Sequence, residues 1–259
     1  MPQLIVTRMS DITTRCATTI CTGLADLELA SVTRQLRCTR VRGRPWSQPL
    51  RVRVLVTSTA LRTNLTIREL AAVFSISKSQ VHRILADLIP RLAKLLDSAD
   101  RDRRWSWVVD GTLVPTRDHQ VAAKSKNYRW SCNAQVVVRR ADLRVVAVEA
   151  GGPGNRNDVI HYRASGVETV CQRHGRVLAD GGYRGIAELI TPVFRKNRII
   201  RNRAWRQHRK RRARVEHALA RLKDWRVLRD HRRRGRHLST TFRAVAVLHN
   251  LRIRFRDIS

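Results

Sequence analysis

The sequence predicts a mixed α/β fold preceded by an all-α region, on three patterns. Apolar residues recur at helical spacing from about residue 50 to residue 88. Short apolar runs of strand length then occupy residues 105–179. Helical spacing returns beyond residue 214. The 259 residues are 42% hydrophobic, which supplies a buried core for one large domain or two smaller ones.

In the first forty residues Leu24, Leu27 and Val32 fall on one helical stripe, which Gly43-Arg44-Pro45-Trp46 breaks. Leu50 to Leu61 follows as a helix with Leu50, Val54 and Leu61 on one face. Thr66 precedes Ile67–Val73 with Glu69 three residues on, the capping-box pattern in which two side chains satisfy orphan backbone N–H groups. Phe74–Ser77 interrupts, and Ser77 or Ser79 caps a second helix from Lys78 to about Leu88. Small Ala71 at the crossing, with Leu70, Ile76, Val81 and Ile84 between the helices, makes a helix-turn-helix at about 66–89; a plain helical hairpin is the alternative. In such a unit the second helix offers its first residues to the major groove. Lys78, Ser79, Gln80, His82 and Arg83 carry suitable donors and acceptors.

Trp105–Val109 reads as a strand followed by Asp110-Gly111-Thr112. Asn133–Arg139 and Arg144–Ala150 are two more, joined around residues 140–143. Gly151–Asn155 is a loop, and Asn157 or Asp158 caps a short helix. Arg176–Ala179 is another strand, ending at Asp180-Gly181-Gly182. A basic stretch covers 194–214, a long helix then continues to about Trp225, and a last helix spans about Thr240 to Phe255. The expected division is a helical region over 1–95 and an α/β domain over 104–259.

Charge narrows the partners. Against 20 acids stand 53 Lys and Arg, a formal net charge of +33. Such a chain repels itself and attracts polyanions, and phosphate contacts supply most sequence-independent nucleic-acid affinity. A GC-rich coding bias toward Arg accounts for part of the excess but not for the scarcity of acids. A membrane span needs about twenty consecutive apolar residues, which the chain lacks. Its first residues also lack the apolar core of a secretory signal. Cys16, Cys21, Cys38, Cys132 and Cys171 are scattered without paired metal spacing, as expected of reduced thiols in a cytoplasmic protein.

Asp110 and Asp180 each end a short apolar strand and precede Gly. A carboxylate beside buried neighbours is costly to keep ionised without a compensating cation or hydrogen bonds. Asp-Gly after a strand is also a common hairpin turn, and both readings stand at this point. Glu216 belongs to a helix on which Arg212, Glu216 and Lys223 share a face beside a Val215, Leu219 and Leu222 stripe. By itself that face could be an exposed ion-pair ladder.

The motifs in order resemble a family. They are Thr63–Thr66, Ser77-Lys78-Ser79, Val109-Asp110-Gly111-Thr112, Lys124–Tyr128, Asn133–Val136, Leu178–Gly185 and Val215–Ala218 with Leu222-Lys223. From about residue 43 to 250 the chain resembles the bacterial insertion-sequence DDE transposases of the branch related to Harbinger elements. The resemblance implies a ribonuclease H-like mixed sheet flanked by helices, with Asp110, Asp180 and Glu216 as catalytic acids and metal ligands. It implies two Mg²⁺ ions, with Mn²⁺ the substitute, and cleavage of element ends followed by joining of the 3′-OH to target DNA. Arg212 and Lys223 match the basic members of a Tyr-Arg-Glu-Lys helix signature and would contact DNA; Arg209 stands at the Tyr position. Asn157-Asp158 matches a polar pair between the first two acids. Double-stranded DNA (terminal inverted repeats and target) is the implied partner, with a homo-oligomer assembled on it at the bacterial nucleoid. The rivals are a non-enzymatic helix-turn-helix regulator, an inactive transposase remnant and an RNA-binding protein.

Overall fold

The computed structural model describes residues 19, 21–37, 45–96, 104–125 and 129–256. Cys16, Cys38, Gly43, Arg44 and the Lys126–Tyr128 part of the quoted motifs lie outside them.

Helix α1 (Asp26–Arg37) buries Leu29, Val32 and Leu36, while Leu27 is 71% exposed. The expected stripe is therefore corrected: Leu24 precedes the helix, and the i, i+3, i+7 face starts at Leu29. Helix α2 (Leu50–Thr63) buries Val54 and Leu61 as its spacing predicts. Helix α3 (Ile67–Val73) opens on the expected capping box: Thr66 Oγ1 accepts from Glu69 N at 3.2 Å, and Thr66 N donates to Glu69 Oε2 at 2.6 Å. Ser75 turns the chain at φ +51°. Helix α4 (Lys78–Lys94) opens on a second box, with Ser77 Oγ accepting from Gln80 N and Ser77 N donating to Gln80 Oε1. It runs past the expected end at Leu88, through Pro90, because buried Ile89, Leu92 and Ala93 hold the last turns against the loss of one N–H donor.

Strand β1 (Trp107–Pro115) is central to the sheet. It pairs antiparallel with β3 (Trp130–Arg139) and parallel with β5 (Val177–Leu178). Along the outer edge of β3 lie β4 (Val145–Pro153) and the short β2 (Ala123–Lys124). Beyond β5 lies β6 (Leu189–Ile190), also parallel. The order β4-β3-β1-β5-β6, three antiparallel strands followed by two parallel, is the ribonuclease H-like mixed sheet.

Alternation along the strands sorts two cores. Trp107, Val109, Val137 and Val177 pack with Tyr162 of α5 (Asp158–Arg163) and with Val167 and Cys171 of α6 (Gly166–His174). Val108, Val114, Val136 and Leu178 face the opposite way, toward α7 (Arg203–Lys223) and α8 (Leu238–Arg256). Helix α8 packs on both β4 and α4, so the buried residues of α1, α2 and α4 join this second core. No helix among the described residues is long and apolar enough to cross a membrane.

Two expectations are corrected in the α/β half. Asp110 does not end its strand; it is paired opposite Val136, with Gly111 opposite Gln135, and β1 continues to Pro115. The hairpin-turn reading is thereby excluded for Asp110. The long helix, in turn, does not wait for the end of the basic stretch at residue 214. That stretch opens with a hairpin of β7 (Phe194–Arg195) and β8 (Arg198–Ile199), after which α7 starts at Arg203. Asn202 caps that helix, its Oδ1 accepting from Trp205 N at 2.9 Å. Arg, Lys, Gln and Ala are strong helix formers whose heads stay solvated.

Candidate active site

Asp110 shares the Val108 and Val114 side of β1, which faces α7. Its Oδ2 accepts from Arg212 Nη1 at 3.0 Å and its Oδ1 from Gly111 N at 3.0 Å. Arg212 Nη2 donates to Glu216 Oε1, also at 3.0 Å, one helical turn further along α7. One guanidinium thus spans the first and third predicted acids, so they lie within the reach of a single planar fork. Burial differs sharply: the Asp110 side chain is 16% exposed and that of Glu216 61%.

Asp180 follows β5, the parallel neighbour of β1. It caps the short turn Gly181–Tyr183, its Oδ1 accepting from Gly182 N at 2.8 Å. Burial raises the Asp110 carboxyl to about 6; Arg212 pulls it down, while the charges of Asp180 and Asp158 push it up. Asp110 is therefore a desolvated carboxylate with two acidic neighbours and one cation.

Asp158, at the start of α5, sits over Gly111 on the other side of β1. A Cβ on Gly111 would stand 1.9 Å from Asp158 Oδ1, so only glycine admits this approach. Asp158 Oδ1 accepts from Asn133 Nδ2 at 2.6 Å and from Gln135 Nε2 at 3.2 Å. Gln135 Oε1 in turn accepts from Tyr183 OH at 2.6 Å. The sequence reading had no role for Gln135 and Tyr183; a polar residue amid an apolar strand, and an aromatic three residues after Asp180, were the signals available.

Lys223, the last residue of α7, is half-buried, and burial together with Arg229 lowers its pKa. It stands two turns beyond Glu216. Arg209, at the Tyr position of the helix signature, lies with its guanidinium 5.6 Å from the Trp205 ring centroid. In α4, Lys78, Ser79, His82 and Arg83 are exposed. Gln80 is engaged at both ends, its Oε1 with Ser77 N and its Nε2 donating to Ser47 Oγ at 2.7 Å.

The oxygen donors suit a hard divalent cation in kind, and the desolvated Asp110 needs the counter-charge that Arg212 supplies. Among the described residues, however, no three His, Cys, Asp or Glu side chains converge closely enough to hold one metal ion in this arrangement. Cys132 and Cys171 are buried free thiols, and Cys21 is an exposed one.

A mixed sheet of this order, with Asp110 on its central strand facing Glu216 of a helix across Arg212, defines the ribonuclease H-like class of fold. The chain belongs to the DDE superfamily endonucleases, whose family matches residues 109–250. That span takes in Asp110, Asp158, Asp180, Arg212 and Glu216. Over 235 residues the chain is 43% identical to the transposase assigned to insertion sequence element IS112 of Streptomyces albus G, covering 87% of this chain and 90% of that protein. A solved structure, the Mos1 transposase paired-end complex with left transposon end, aligns over 73% of this chain and 83% of its own at 11% identity. Its TM-score of 0.23 is too low to bear on fold or function.

Proposed function

We propose that this protein is a transposase that cuts DNA at the ends of its element and joins the freed 3′-OH to target DNA. The observation that carries the reading is the Arg212 bridge between Asp110 and Glu216, with Asp180 on the neighbouring strand. The bridge brings the first and third acids onto one guanidinium, and Asp180 follows the strand beside β1, in a chain of net charge +33.

Asp110, Asp180 and Glu216 would hold divalent metal, Mg²⁺ or Mn²⁺, in two sites. When bound, the metal supplies Lewis-acid stabilisation of the scissile phosphate and a nucleophilic water at neutral pH. The chain's own residues do the rest. Asp110 would offer the metal a carboxylate whose charge Arg212 balances in the metal-free protein. Arg212 exchanges its carboxylate partners for a DNA phosphate, for which its fork is equally matched. Lys223, on the same helix, steadies the backbone beyond the scissile position. Hydrolysis breaks the phosphorus–3′-oxygen bond, and the 3′-OH then attacks a target phosphate with no covalent enzyme intermediate. Lys78, Ser79, His82 and Arg83 at the start of α4 read the element ends in the major groove. Gln80, spent on the cap and on Ser47, acts as a positioning residue for that helix. Two or more copies paired on the ends complete the assembly.

The Arg212-occupied arrangement, in which no three acids yet converge, favours one second reading: a copy that binds DNA without cutting it. Cleavage of element-end DNA with Mg²⁺, wild type against Asp180→Ala, decides between them. Nicking by the wild type and none by the variant is the expected result. Equal nicking by both sinks the site assignment, and DNA binding without any wild-type nicking selects the second reading.

A further inference from the structure

A cavity of about 460 Å³ lies beside the N-terminal half of α7, away from the carboxylates. Its walls are of two kinds. Trp205, Ile190 and Val193 form an apolar side, on which Ile190 is 49% and Val193 65% exposed. Arg140, Arg176 and Arg211 form a cationic side, and among the described residues lining the cavity none is acidic. Arg140 is oriented by its Nε donating to Ser106 Oγ at 3.0 Å. Trp205 is half-buried, with the guanidinium carbons of Arg201 and Arg209 at 5.7 and 5.6 Å from its ring centroid.

We propose that this cavity takes one unpaired nucleotide of the DNA strand, its base against Trp205 and the Ile190 and Val193 wall, its phosphate among the three arginines. The inference rests on DNA being the substrate. The volume lies within the roughly 300–1,000 Å³ of pockets that enclose a small organic ligand. Large exposed apolar side chains beside uncompensated arginines suit a ligand that is planar and apolar at one end and anionic at the other, as a nucleotide is. An aromatic face flanked by guanidiniums is a stacking platform for a base of any sequence. A base inside a duplex cannot reach such a wall, so the nucleotide must be unstacked, in an overhang or extruded from the helix. Position agrees. Trp205, Arg212 and Glu216 recur at seven and four residues on α7, one stripe of one helix. At about 1.5 Å per residue the stripe places Trp205 about 16 Å from Glu216. A strand leaving the cut site along α7 meets the cavity about five base steps on, at about 3.4 Å each.

The test uses the full chain in EDTA, so that cleavage plays no part. The probe is an oligonucleotide carrying one fluorescent adenine analogue, offered single-stranded, unpaired in a duplex overhang, or paired within a duplex. Wild type is expected to quench the analogue only where it is unpaired. Trp205→Ala is expected to lose the quench and bind the unpaired probe roughly tenfold more weakly, with duplex affinity retained. Trp205→Phe is expected to restore part of both, and Arg176→Glu to weaken the unpaired probe without loss of melting temperature. Wild-type quenching that survives Trp205→Ala overturns the proposal, as does equal affinity for paired and unpaired probes, or displacement of the probe by poly-glutamate at lower concentration than by single-stranded DNA. A wild-type chain that binds no form of DNA overturns the DNA reading itself.

Discussion

Asp158 Oδ1 occupies the place that a side chain on Gly111 would take, 1.9 Å from an ideal Cβ. The glycine beside the first acid is therefore a packing requirement on the far side of β1 rather than a turn. Asp158 is short and tied to Asn133 and Gln135, so it has little freedom to withdraw. Gly111→Ala is expected to cost about 1–3 kcal/mol by overpacking. In a double-mutant cycle with Asp158→Ala much of that loss should return, read from urea unfolding curves. Additive losses would separate the two residues.

The Arg212 bridge makes a prediction for the metal-free protein. Arg212→Ala leaves Asp110, largely buried, without its cation, and partial burial of the pair sets the cost at about 2 kcal/mol. Arg212→Ala combined with Asp110→Asn should recover most of it, because the uncompensated charge is gone. Thermal melts of the four proteins in EDTA measure this.

Asp110 also predicts a pH dependence. Its folded-state pKa of about 6 lies above the ordinary 3.8, so the folded protein holds this proton more tightly than the unfolded chain. The group's contribution is fully favourable below about pH 4, declines as pH rises to about 6, and is flat above. The change is on the order of 2 kcal/mol across that window. Stabilities from denaturant titrations of metal-free wild type and Asp110→Asn should diverge by that amount between pH 4 and 7. Parallel curves would contradict the desolvation of Asp110.

At the helix-turn-helix, two substitutions should separate stability from binding. Ser77→Ala removes the N-cap of α4 and is expected to cost about 1 kcal/mol in unfolding free energy. Arg83→Ala touches an exposed side chain and is expected to leave the melting temperature unchanged. It should weaken DNA binding and reduce the salt dependence of log K by about one, as loss of one phosphate contact does. Titrations at several salt concentrations give both numbers.

Helix α4 and its cap were legible because capping is local: Ser77 and Gln80 are three residues apart, and the pattern needs no distant partner. Glu216 on a helix with Arg212 was legible for the same reason. The true start of that helix, inside the basic run, was not legible because its arginines give no apolar stripe and the helix begins from a polar cap at Asn202. Asp110 looked like a strand end because Gly111 interrupts the apolar run. Only the contact with Asp158, 47 positions later, explains why the strand continues through it.

The sequence by itself determined most of the elements and the excess of positive charge, since periodicity, caps and composition are properties of neighbours along the chain; singling out Asp110, Asp180 and Glu216 took the family resemblance as well. Tertiary structure decided what those acids face. Asp110 and Glu216 meet through Arg212 because β1 and α7 pack across 102 positions of intervening chain. The carboxyl of Asp110 is pushed up because that packing removes its water. Desolvation and long-range pairing depend on which surfaces close on one another, and no local pattern encodes that.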